Sequence, residues 1–596
     1  MDALRSLNIY LRPYKWRFLF GGMLMVISNL LIILPIPYIG RTINIIKEIL
    51  SQFEKGLIPY ALNKDIIQYG SIIITVPIVG GIIRYYMRQL IITTSRMIEF
   101  DMKNEIYAHY QKLSPAFYKK NSTGDLINRF TEDVSLVRQY LGPGIMYLVN
   151  LFILTCFVIL QMLRIDPTLT FYVLLPIPLL FISIYYLSST INKKSQEVQT
   201  HQSLISSFIQ DAFSGIHILK SFVVETYFQK NHEEITRIYQ KKNLQLVIFS
   251  TLLSSIIILL TGTSQLLILY IGGKRYFEGM VKDIGTLAEF FIYINVLIWP
   301  FITLGWVVST IQRAKVSQKR INAFLKENPD IINQSGKCSK IQGKITFKNV
   351  SLVYANTGIQ ALKELSFTIE KGKTLAIIGA TGSGKSTIVQ LIPRLYDPTE
   401  GEIFIDDRPL KELHLYDLRK NIGYVPQESF LFSDSIHNNI ALGAMPKTLE
   451  KVIDAAKKAE IEEDILSFRN GYETILGERG VTLSGGQKQR ISIARALIKN
   501  PQILIFDDSL SAIDQQTKQS IRHHLQNDTK DRTTIIITHE ISYVKDADII
   551  IVLEKGKIIE QGDHQSLITQ KGHYLQWHYE QLEKKNWLDK VFFRGK

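Results

Sequence analysis

Six long apolar stretches in the first half of the chain constrain its fold more than any other feature of the sequence. A transmembrane helix needs about 20 predominantly apolar residues to cross the hydrocarbon core of a bilayer, and each stretch is close to that length or longer. We therefore predict an all-α domain of six transmembrane helices, surrounded by membrane lipid. The stretches are Phe18–Ile39, Ile66–Met87, Met146–Leu163, Thr168–Leu187, Leu246–Ile271 and Leu287–Ile311.

The connections between these stretches predict the orientation of the domain. Two of them, Met97–Tyr140 and Thr190–Asn243, are long, polar and helical in pattern, and both are rich in Lys and Arg. Basic connections stay on the cytoplasmic side of a membrane, so we place them there together with the N-terminus. An even number of spans returns the chain to the cytoplasm. The net charge of the chain is +15, and membrane proteins collect Lys and Arg beside their apolar spans. Because basic residues cluster in this way at Arg12, Lys15 and Arg17 and at Lys193 and Lys194, nucleic acid is not expected as a partner.

The second half of the chain has a different pattern. Short runs rich in β-branched residues alternate with helical patterns, which is typical of an α/β domain with a largely parallel sheet. The runs are Ile345–Phe347, Thr374–Ile378, Ile503–Phe506 and Thr534–Ile537. We predict a transmembrane domain over residues 1–325, a polar linker over 326–343, an α/β P-loop nucleotide-binding domain over 344–583 and a basic tail over 584–596.

One glycine-rich segment carries the strongest chemical signal. The residues from Gly379 to Thr387 read Gly-Ala-Thr-Gly-Ser-Gly-Lys-Ser-Thr and lie between a predicted strand and a predicted helix. In a P-loop, backbone N–H groups turn inward onto phosphates, the Lys reaches the terminal phosphates and the hydroxyl that follows ligates Mg²⁺. This segment therefore predicts binding of ATP and Mg²⁺. The predicted binding residues are Gly379, Thr381, Gly382, Ser383, Gly384, Lys385, Ser386 and Thr387.

A carboxylate at the end of a buried strand supplies a second signal. The strand Ile503–Phe506 runs directly into Asp507. An acidic side chain at the carboxyl end of a parallel strand lies where ligands bind in open α/β sheets, and carboxylate oxygens suit Mg²⁺. We assign the metal to Ser386 and Asp507, with Gln427 as a further ligand on grounds given below.

The segment Leu483-Ser484-Gly485-Gly486-Gln487 lies between the P-loop and Asp507. Alone it would also suit a flexible turn with a helix cap, but in this position it resembles the signature of the ABC transporter superfamily, and the resemblance extends over essentially the whole chain. In that superfamily the signature of one subunit closes over nucleotide held by the other. The resemblance therefore implies a second half-transporter as partner, with Ser484, Gly485, Gly486 and Gln487 contacting its nucleotide.

Further residues fit the same resemblance. Tyr354 matches the aromatic residue that stacks on adenine, and Gln427 matches the residue that senses Mg²⁺ and contacts the membrane domain. Ser509–Asp514 is similar to the loop that links the two sites, and His539 to the histidine that contacts the γ-phosphate. The membrane half resembles the exporter branch through two segments, Phe117–Arg129 and Gly215–Phe222, which are similar to the loops that dock on the cassettes. In the second half of the chain, Thr474–Gly480 is similar to an exporter-specific segment near those loops.

One position departs from the family. The residue after Asp507, normally a glutamate that polarises the attacking water, is Asp508. Its carboxylate is one methylene shorter, and a misplacement of about 1 Å can cost about 10²-fold in rate. With Asp508, Gln427 and His539 as the predicted catalytic residues, this pattern resembles heterodimeric multidrug exporters with one weak ATP site. The alternative is a homodimer in which Asp508 still serves as base.

The resulting prediction is an ATP-driven exporter in the plasma (inner) membrane that moves a small hydrophobic or amphipathic substrate. A homodimeric lipid or peptide exporter and an ATP-gated channel or regulatory subunit are the alternatives. Intramembrane polar residues can mark a substrate path, although helix packing also explains many of them. The candidates are Asn29, Arg84, Arg88, Gln265 and Asn295, and we expect Arg84 to face an internal cavity.

Overall fold

The computed structural model of the chain describes residues 2–54, 64–281, 283–333, 340–444, 448–477, 483–528 and 532–582. The chain forms two compact units. One, the membrane unit, comprises Met1–Gln111 and Thr123–Glu327; the other, the cassette unit, comprises Lys112–Ser122 and Asn328–Lys596. Part of the predicted linker (334–339), the predicted tail (584–596) and Glu478–Gly480 of the exporter-specific segment lie outside the described residues.

The described residues contain six helices long and apolar enough to cross a membrane, which confirms the predicted number. Two short helices lie between them, and a one-turn helix, Asp2–Arg5, precedes the first. In chain order the helices are α1 (Asn8–Glu54), α2 (Lys64–Lys112), α3 (Pro115–Lys120), α4 (Thr123–Ile165), α5 (Pro167–Ser214), α6 (Ile216–Phe222), α7 (Glu225–Phe277) and α8 (Ile284–Leu325).

Most of these helices are much longer than the apolar stretches that predicted them. The 49 residues of α2 extend over about 74 Å at 1.5 Å per residue, more than twice the thickness of a bilayer core, about 30 Å. The polar connections therefore continue the same helices, as their helical pattern indicates. Single π-helical turns interrupt α4 at Arg129–Asp133 and Tyr140–Gly144 and α7 at Ile268–Gly272.

The membrane unit has an apolar core on the facing sides of its helices. Val158 of α4 and Phe290 and Tyr293 of α8 are fully buried there. A tight turn joins α4 to α5, because the side chain of Asp166 caps α5 by accepting a hydrogen bond of 3.0 Å from the backbone N–H of Leu169. The same carboxylate accepts a hydrogen bond of 3.0 Å from Nε of Arg275.

The cassette unit contains two sheets. Strands β2, β1, β4 and β5 form an antiparallel sheet in that order, and the second sheet has the order β10-β9-β3-β8-β7-β6. In the second sheet β9, β3, β8, β7 and β6 run parallel and β10 is antiparallel to β9. The strands are β1 (Ile345–Val353), β2 (Gln360–Ile369), β3 (Thr374–Gly379), β4 (Glu400–Ile405), β5 (Arg408–Pro409), β6 (Ile422–Val425), β7 (Ile503–Asp507), β8 (Thr533–Ile537), β9 (Ile549–Glu554) and β10 (Lys557–Gly562).

The parallel sheet is buried by helices and by the antiparallel sheet, and its inner strands are almost uniformly apolar, as a sheet covered on both faces requires. The predicted α/β domain with a largely parallel sheet is therefore confirmed, but Ile345–Phe347 lies in the antiparallel sheet, which the sequence did not predict. Further helices in the described part of the cassette unit include α9 (Lys385–Leu391), α10 (Leu415–Lys420), α11 (Ile436–Ala441), α12 (Leu449–Lys458), α13 (Glu462–Ser467), α14 (Gly485–Leu497), α15 (Gln515–Asp528) and α16 (His564–Thr569).

Candidate nucleotide-binding site

The predicted P-loop joins the central strand β3 to helix α9. Two glycines in it have positive φ, +80° at Gly382 and +103° at Gly384. A Cβ atom added to Gly384 would lie 2.5 Å from the carbonyl oxygen of Ala361, whereas one added to Gly382 would meet nothing within 4 Å. Gly384 is therefore required by both its backbone conformation and its packing, and Gly382 by its conformation alone.

Lys385 is the cation of this loop. Its side chain is 7% exposed, and its Nζ donates hydrogen bonds to the carbonyl oxygens of Gly379 (2.8 Å) and Ala380 (2.9 Å). Burial lowers the pKa of the ammonium group, and the carboxylates of Asp508 and Asp507 oppose this shift. A buried ammonium group whose hydrogen bonds, among the described residues, go to two carbonyl oxygens of its own loop suits an anionic ligand such as a phosphate chain.

Asp507 lies at the end of β7 and is 2% exposed. Ser386 donates a hydrogen bond of 2.8 Å to its Oδ1, and the hydroxyl of Tyr424 donates one of 3.1 Å to its Oδ2. Burial raises the pKa of Asp507, and these two hydrogen bonds act in the opposite direction. The Ser386 hydroxyl and an Asp507 carboxylate oxygen adjoin each other, and hard oxygen donors of this kind fit Mg²⁺.

Asp508 and Gln427 also meet at this edge of the sheet. Asp508 has φ +47°, in the left-handed region, which turns its side chain away from the strand direction. Nε2 of Gln427 lies 3.5 Å from Oδ2 of Asp508, at the outer limit of a hydrogen bond. The structure therefore brings together two of the three predicted catalytic residues.

His539, the third, follows β8 and is exposed. Its backbone carbonyl accepts a hydrogen bond of 2.6 Å from Nε2 of Gln581. Its imidazole makes no hydrogen bond or ion pair within the described part of the chain, so in this conformation it does not contact Asp508 or Lys385. Its position at the end of the strand between β3 and β7 nevertheless puts it at the same sheet edge as the other two.

Tyr354 follows β1, and its hydroxyl shares a hydrogen bond of 3.1 Å with Oγ1 of Thr387. Its ring packs edge-on against Tyr396 at 5.5 Å between centroids. Nζ of Lys119, in α3, lies 5.3 Å from the centroid of each ring. The predicted adenine-stacking residue is therefore hydrogen-bonded to the P-loop. Its ring also contacts the ammonium group of Lys119, which is far away in the sequence.

The signature segment forms the start of α14. Ser484 caps this helix: its side chain accepts a hydrogen bond from the backbone N–H of Gln487, and the Gln487 side chain accepts one from the backbone N–H of Ser484. Nε2 of Gln487 also donates to Oδ1 of Asp464 at 2.8 Å. Ser484 and Gly485 are exposed, and no hydrogen bond joins this segment to the P-loop among the residues that are described. The segment is therefore ordered and accessible.

The predicted linking loop, Ser509–Asp514, runs from β7 to α15. Asp514 caps α15 by accepting a hydrogen bond of 3.0 Å from the backbone N–H of Thr517, and this bond lowers the pKa of its carboxyl group. The hydroxyl of Ser509 is buried, and within the described ranges it has no hydrogen-bond partner. The loop thus holds one unmatched polar group beside the carboxylates at the end of β7.

Three residues of this site were not predicted from the sequence: Lys119, Tyr396 and Tyr424. Tyr424 reaches Asp507 because β6 pairs with β7 in parallel, so that Tyr424 lies opposite Ile505, two residues before Asp507; the sequence does not indicate this pairing. Lys119 and Tyr396 have no local sequence signal either. They reach the site only through the packing of the whole cassette unit.

Comparison with known proteins agrees with this arrangement. Residues 18–301 match the ABC transporter transmembrane region, and residues 362–511 match the ABC transporter family. The chain is also 34% identical over 586 residues to the "Probable multidrug resistance ABC transporter ATP-binding/permease protein YheI" of Bacillus subtilis (strain 168), covering 98% of this chain and 97% of that protein. The chain belongs to the ABC transporter family.

Two further similarities describe its type. The transporter is 32% identical over 519 residues to the "ATP-dependent lipid A-core flippase" of Syntrophus aciditrophicus (strain SB), over 86% of this chain and 85% of that one. Its structure is similar to that of a bacterial Atm1-family ABC exporter with ATP bound, with a TM-score of 0.78, 25% identity and coverage of 95% and 99% of the two chains. It is an ABC exporter half-transporter with fused membrane and ATP-binding domains.

These findings establish several of the predictions. The transporter is a multi-pass integral membrane protein with a cytoplasmic nucleotide-binding domain. It binds ATP and is an ATPase coupled to transmembrane transport. As an ABC exporter it works in a dimer within the membrane.

Proposed function

We propose that the transporter is one half of a heterodimeric exporter of hydrophobic or amphipathic molecules, and that its own ATP site hydrolyses slowly. The observation that carries the proposal is Asp508, where the family has glutamate. Its backbone is held in the left-handed region, so the chain cannot easily advance to compensate for the missing methylene. Its carboxylate meets Gln427 only at 3.5 Å, which supports a loosely held carboxylate.

The residues around the site have the following proposed roles. The backbone of the loop from Gly379 to Thr387 and the ammonium group of Lys385 bind the phosphates, and Tyr354 binds the adenine. Ser386, Asp507 and Gln427 would hold Mg²⁺, whose positive charge would offset the negative charge of the phosphates. Asp508 orients water, and His539 contacts the terminal phosphate after a side-chain movement.

The signature has its proposed role in the second subunit's site. Ser484, Gly485, Gly486 and Gln487 are exposed or half-buried at the start of α14, where a nucleotide held by another subunit can be reached. In this arrangement each ATP is bound between the P-loop of one subunit and the signature of the other. Closure of the two cassettes on ATP then moves the membrane helices between inward-facing and outward-facing states.

Steady-state ATP hydrolysis tests the proposal. The transporter is expressed alone and together with a candidate partner that carries glutamate at the position of Asp508. We expect strong activity only in the pair, near-complete loss when the partner's glutamate is changed to Gln, and a much smaller loss with Asp508→Ala. Asp508→Asn is the matched control, since it keeps the length of the side chain and removes the charge. Robust hydrolysis and transport by the chain alone, lost on Asp508→Ala, would establish a homodimer instead.

A homodimeric exporter of lipid is the second candidate, and the similarity to the lipid A-core flippase favours it. The same measurements separate the two, because a homodimer has only Asp508 to orient water at both sites. An ATP-gated channel or regulatory subunit ranks lower, since the chain resembles exporters over nearly its full length. We also propose that residues 326–343 are a linker that connects the membrane domain to the nucleotide-binding domain in the sequence. The N-terminus is proposed to lie in the cytoplasm.

A further inference from the structure

A cavity of about 260 Å³ lies in the membrane unit, between helices α1, α2, α4 and α8. Arg84 and Arg88 of α2 both line it. Residues four apart lie on the same face of a helix, so the two guanidinium groups point into one space. The structure thus places Arg84 at a cavity wall, as the sequence predicts, and adds a second cation beside it.

Within the described residues, neither cation has a counter-charge close by. The charged group that acts on Arg84 at close range is Arg88, which repels it, and no carboxylate forms an ion pair with either one among the described residues. Along α2 the nearest carboxylate, Glu99, lies about 16 Å beyond Arg88 at 1.5 Å per residue. On α8 the single acidic residue is Glu289, and it lies about 10 Å along that helix from Val296 in the cavity wall.

Uncompensated charge in a membrane-spanning helix is costly and is normally paired or hydrated. Two guanidinium groups on one face supply many N–H donors in fixed planes, a geometry that matches phosphate, sulfonate or carboxylate oxygens bidentately. Asn150 lies in the same wall. Its Oδ1 accepts a hydrogen bond of 2.9 Å from the buried Asn29, which leaves its NH₂ group available as a further donor.

The remainder of the wall is apolar and aromatic. Met87, Met146 and Leu154 form part of it, and Tyr147 and Trp299 contribute aromatic rings. The volume of about 260 Å³ lies just below the usual range for ligand pockets, about 300–1,000 Å³. The cavity can therefore hold a charged head group and the first part of an apolar tail, while a longer tail would continue along the helices.

We propose that the Arg84–Arg88 cavity binds the anionic head group of an amphipathic substrate. This inference rests on the proposed export of amphipathic molecules and narrows it to acidic ones. The head group is a phosphate, sulfonate or carboxylate, and the tail is apolar. Such a ligand supplies the negative charge that the described walls of the cavity lack, and it explains why two arginines face one cavity in a membrane domain.

Binding of matched amphiphiles tests the head-group preference. Three dansyl-labelled probes have the same decyl chain and differ in their head groups, which are phosphate, phosphocholine and trimethylammonium. They are titrated onto the complete purified transporter, with its partner subunit if one co-purifies, in phosphatidylcholine nanodiscs, and empty nanodiscs give the background. We expect the phosphate probe to bind at least tenfold more tightly than the trimethylammonium probe.

Variants then localise the preference. Arg84→Gln and Arg88→Gln should each weaken binding of the phosphate probe at least fivefold and leave the trimethylammonium probe unchanged or slightly tighter. Arg84→Lys keeps the charge and should retain part of the affinity. Lys193→Gln, which removes one positive charge from α5 outside the cavity, is the matched control and should bind like the wild type. Equal affinities for all three probes, or a loss in Lys193→Gln equal to that in Arg84→Gln, would overturn the inference.

Two further measurements are needed. One distinguishes the possible sources of the anion, and the other distinguishes failure of this inference from failure of the proposed exporter function. Uptake of a fluorescent short-chain phosphatidylglycerol by inverted vesicles, compared with uptake of the soluble decyl phosphate probe, distinguishes a membrane lipid from a free amphiphile, and transport of either supports the inference. ATP binding is titrated in the same samples. If the wild-type transporter does not bind ATP, the exporter function itself is contradicted. If it binds ATP normally but does not bind the phosphate probe more tightly than the trimethylammonium probe, only this inference is contradicted.

Discussion

The hydrogen bond between Tyr424 and Asp507 gives the sharpest prediction about the nucleotide site. Asp507 is 2% exposed, and burial already raises its pKa. Two donors oppose this rise because they stabilise the charged carboxylate, the Ser386 hydroxyl at 2.8 Å and the Tyr424 hydroxyl at 3.1 Å. Tyr424→Phe removes the second donor and leaves the ring and the first donor in place. We therefore expect the pKa of Asp507 to rise further in this variant.

A hydrogen bond to a charged group contributes about 1.5–3 kcal/mol. Since about 1.4 kcal/mol corresponds to a tenfold change in proton affinity, the pH at which Asp507 loses its charge should move upward by about one to two pH units. Metal binding needs the deprotonated carboxylate. In Tyr424→Phe, Mg²⁺-dependent ATP binding should therefore fail at a higher pH than in the wild type.

The stability of the fold gives an independent readout with a definite sign. A carboxyl group whose pKa is higher in the folded state than in the unfolded state binds protons more strongly when folded, so its effect lowers the free energy of unfolding as pH rises through the folded-state pKa. Tyr424→Phe enlarges this difference. Its loss of stability relative to the wild type should be small in acid, where Asp507 is protonated in both proteins, and should grow towards neutral pH.

The assay is a titration of ATP with and without Mg²⁺ between pH 5 and pH 8, together with thermal unfolding over the same range. Tyr396→Phe is the matched control, because that hydroxyl is also buried but has no hydrogen-bond partner in the described part of the chain. Tyr396→Phe should leave both profiles unchanged. Identical pH profiles for Tyr424→Phe and the wild type would refute the argument that the tyrosine keeps Asp507 charged.

Three other predictions concern the loop and its surroundings. Lys385→Ala should weaken ATP binding at least tenfold in the same titration, and an unchanged affinity would contradict the P-loop assignment. Gly384→Ala, whose Cβ would come within 2.5 Å of a backbone carbonyl oxygen at a φ of +103°, should lower the free energy of unfolding by about 1–3 kcal/mol. Gly382→Ala, whose Cβ would meet nothing, should cost less, and the reverse order would be inconsistent with this packing. Lys119→Met removes the charge above two tyrosine rings and should cost about 0.5–1 kcal/mol in chemical denaturation, whereas Lys120→Met should be neutral; equal costs would argue against a cation–π contact.

Local patterns in the sequence predicted the parts of the structure that depend on neighbouring residues. The strand β3, the loop from Gly379 and the start of α9 form one continuous segment, so their order in the sequence is also their order in space. The six membrane helices could also be predicted from the sequence, since each contains one continuous apolar run. Their full lengths were less evident, because α2 continues through polar residues to Lys112 where hydropathy gives no signal.

Features that depend on pairing between distant segments could not be read in this way. The hydrogen bond from Tyr424 to Asp507 follows from the parallel register of β6 on β7, and a sequence pattern does not fix which strands are neighbours. The same holds for the cavity at Arg84, which needs four helices to assemble. For His539 the situation is reversed. The sequence predicts a catalytic role, but in this conformation the side chain does not contact the other predicted catalytic residues.

The inclusion of Lys112–Ser122 in the cassette unit has a consequence for how the chain is synthesised. Ser114 donates a hydrogen bond of 2.7 Å to Asp330, 216 residues later, and Ala116 packs against the core of the cassette. At about 5–20 residues per second, α3 leaves the ribosome roughly 10–40 s before its first partner and longer still before the sheet. A six-residue helix is not stable alone. The cassette therefore completes its fold by taking up a segment made long before it, and its last folding step must follow insertion of the helices on either side of that segment.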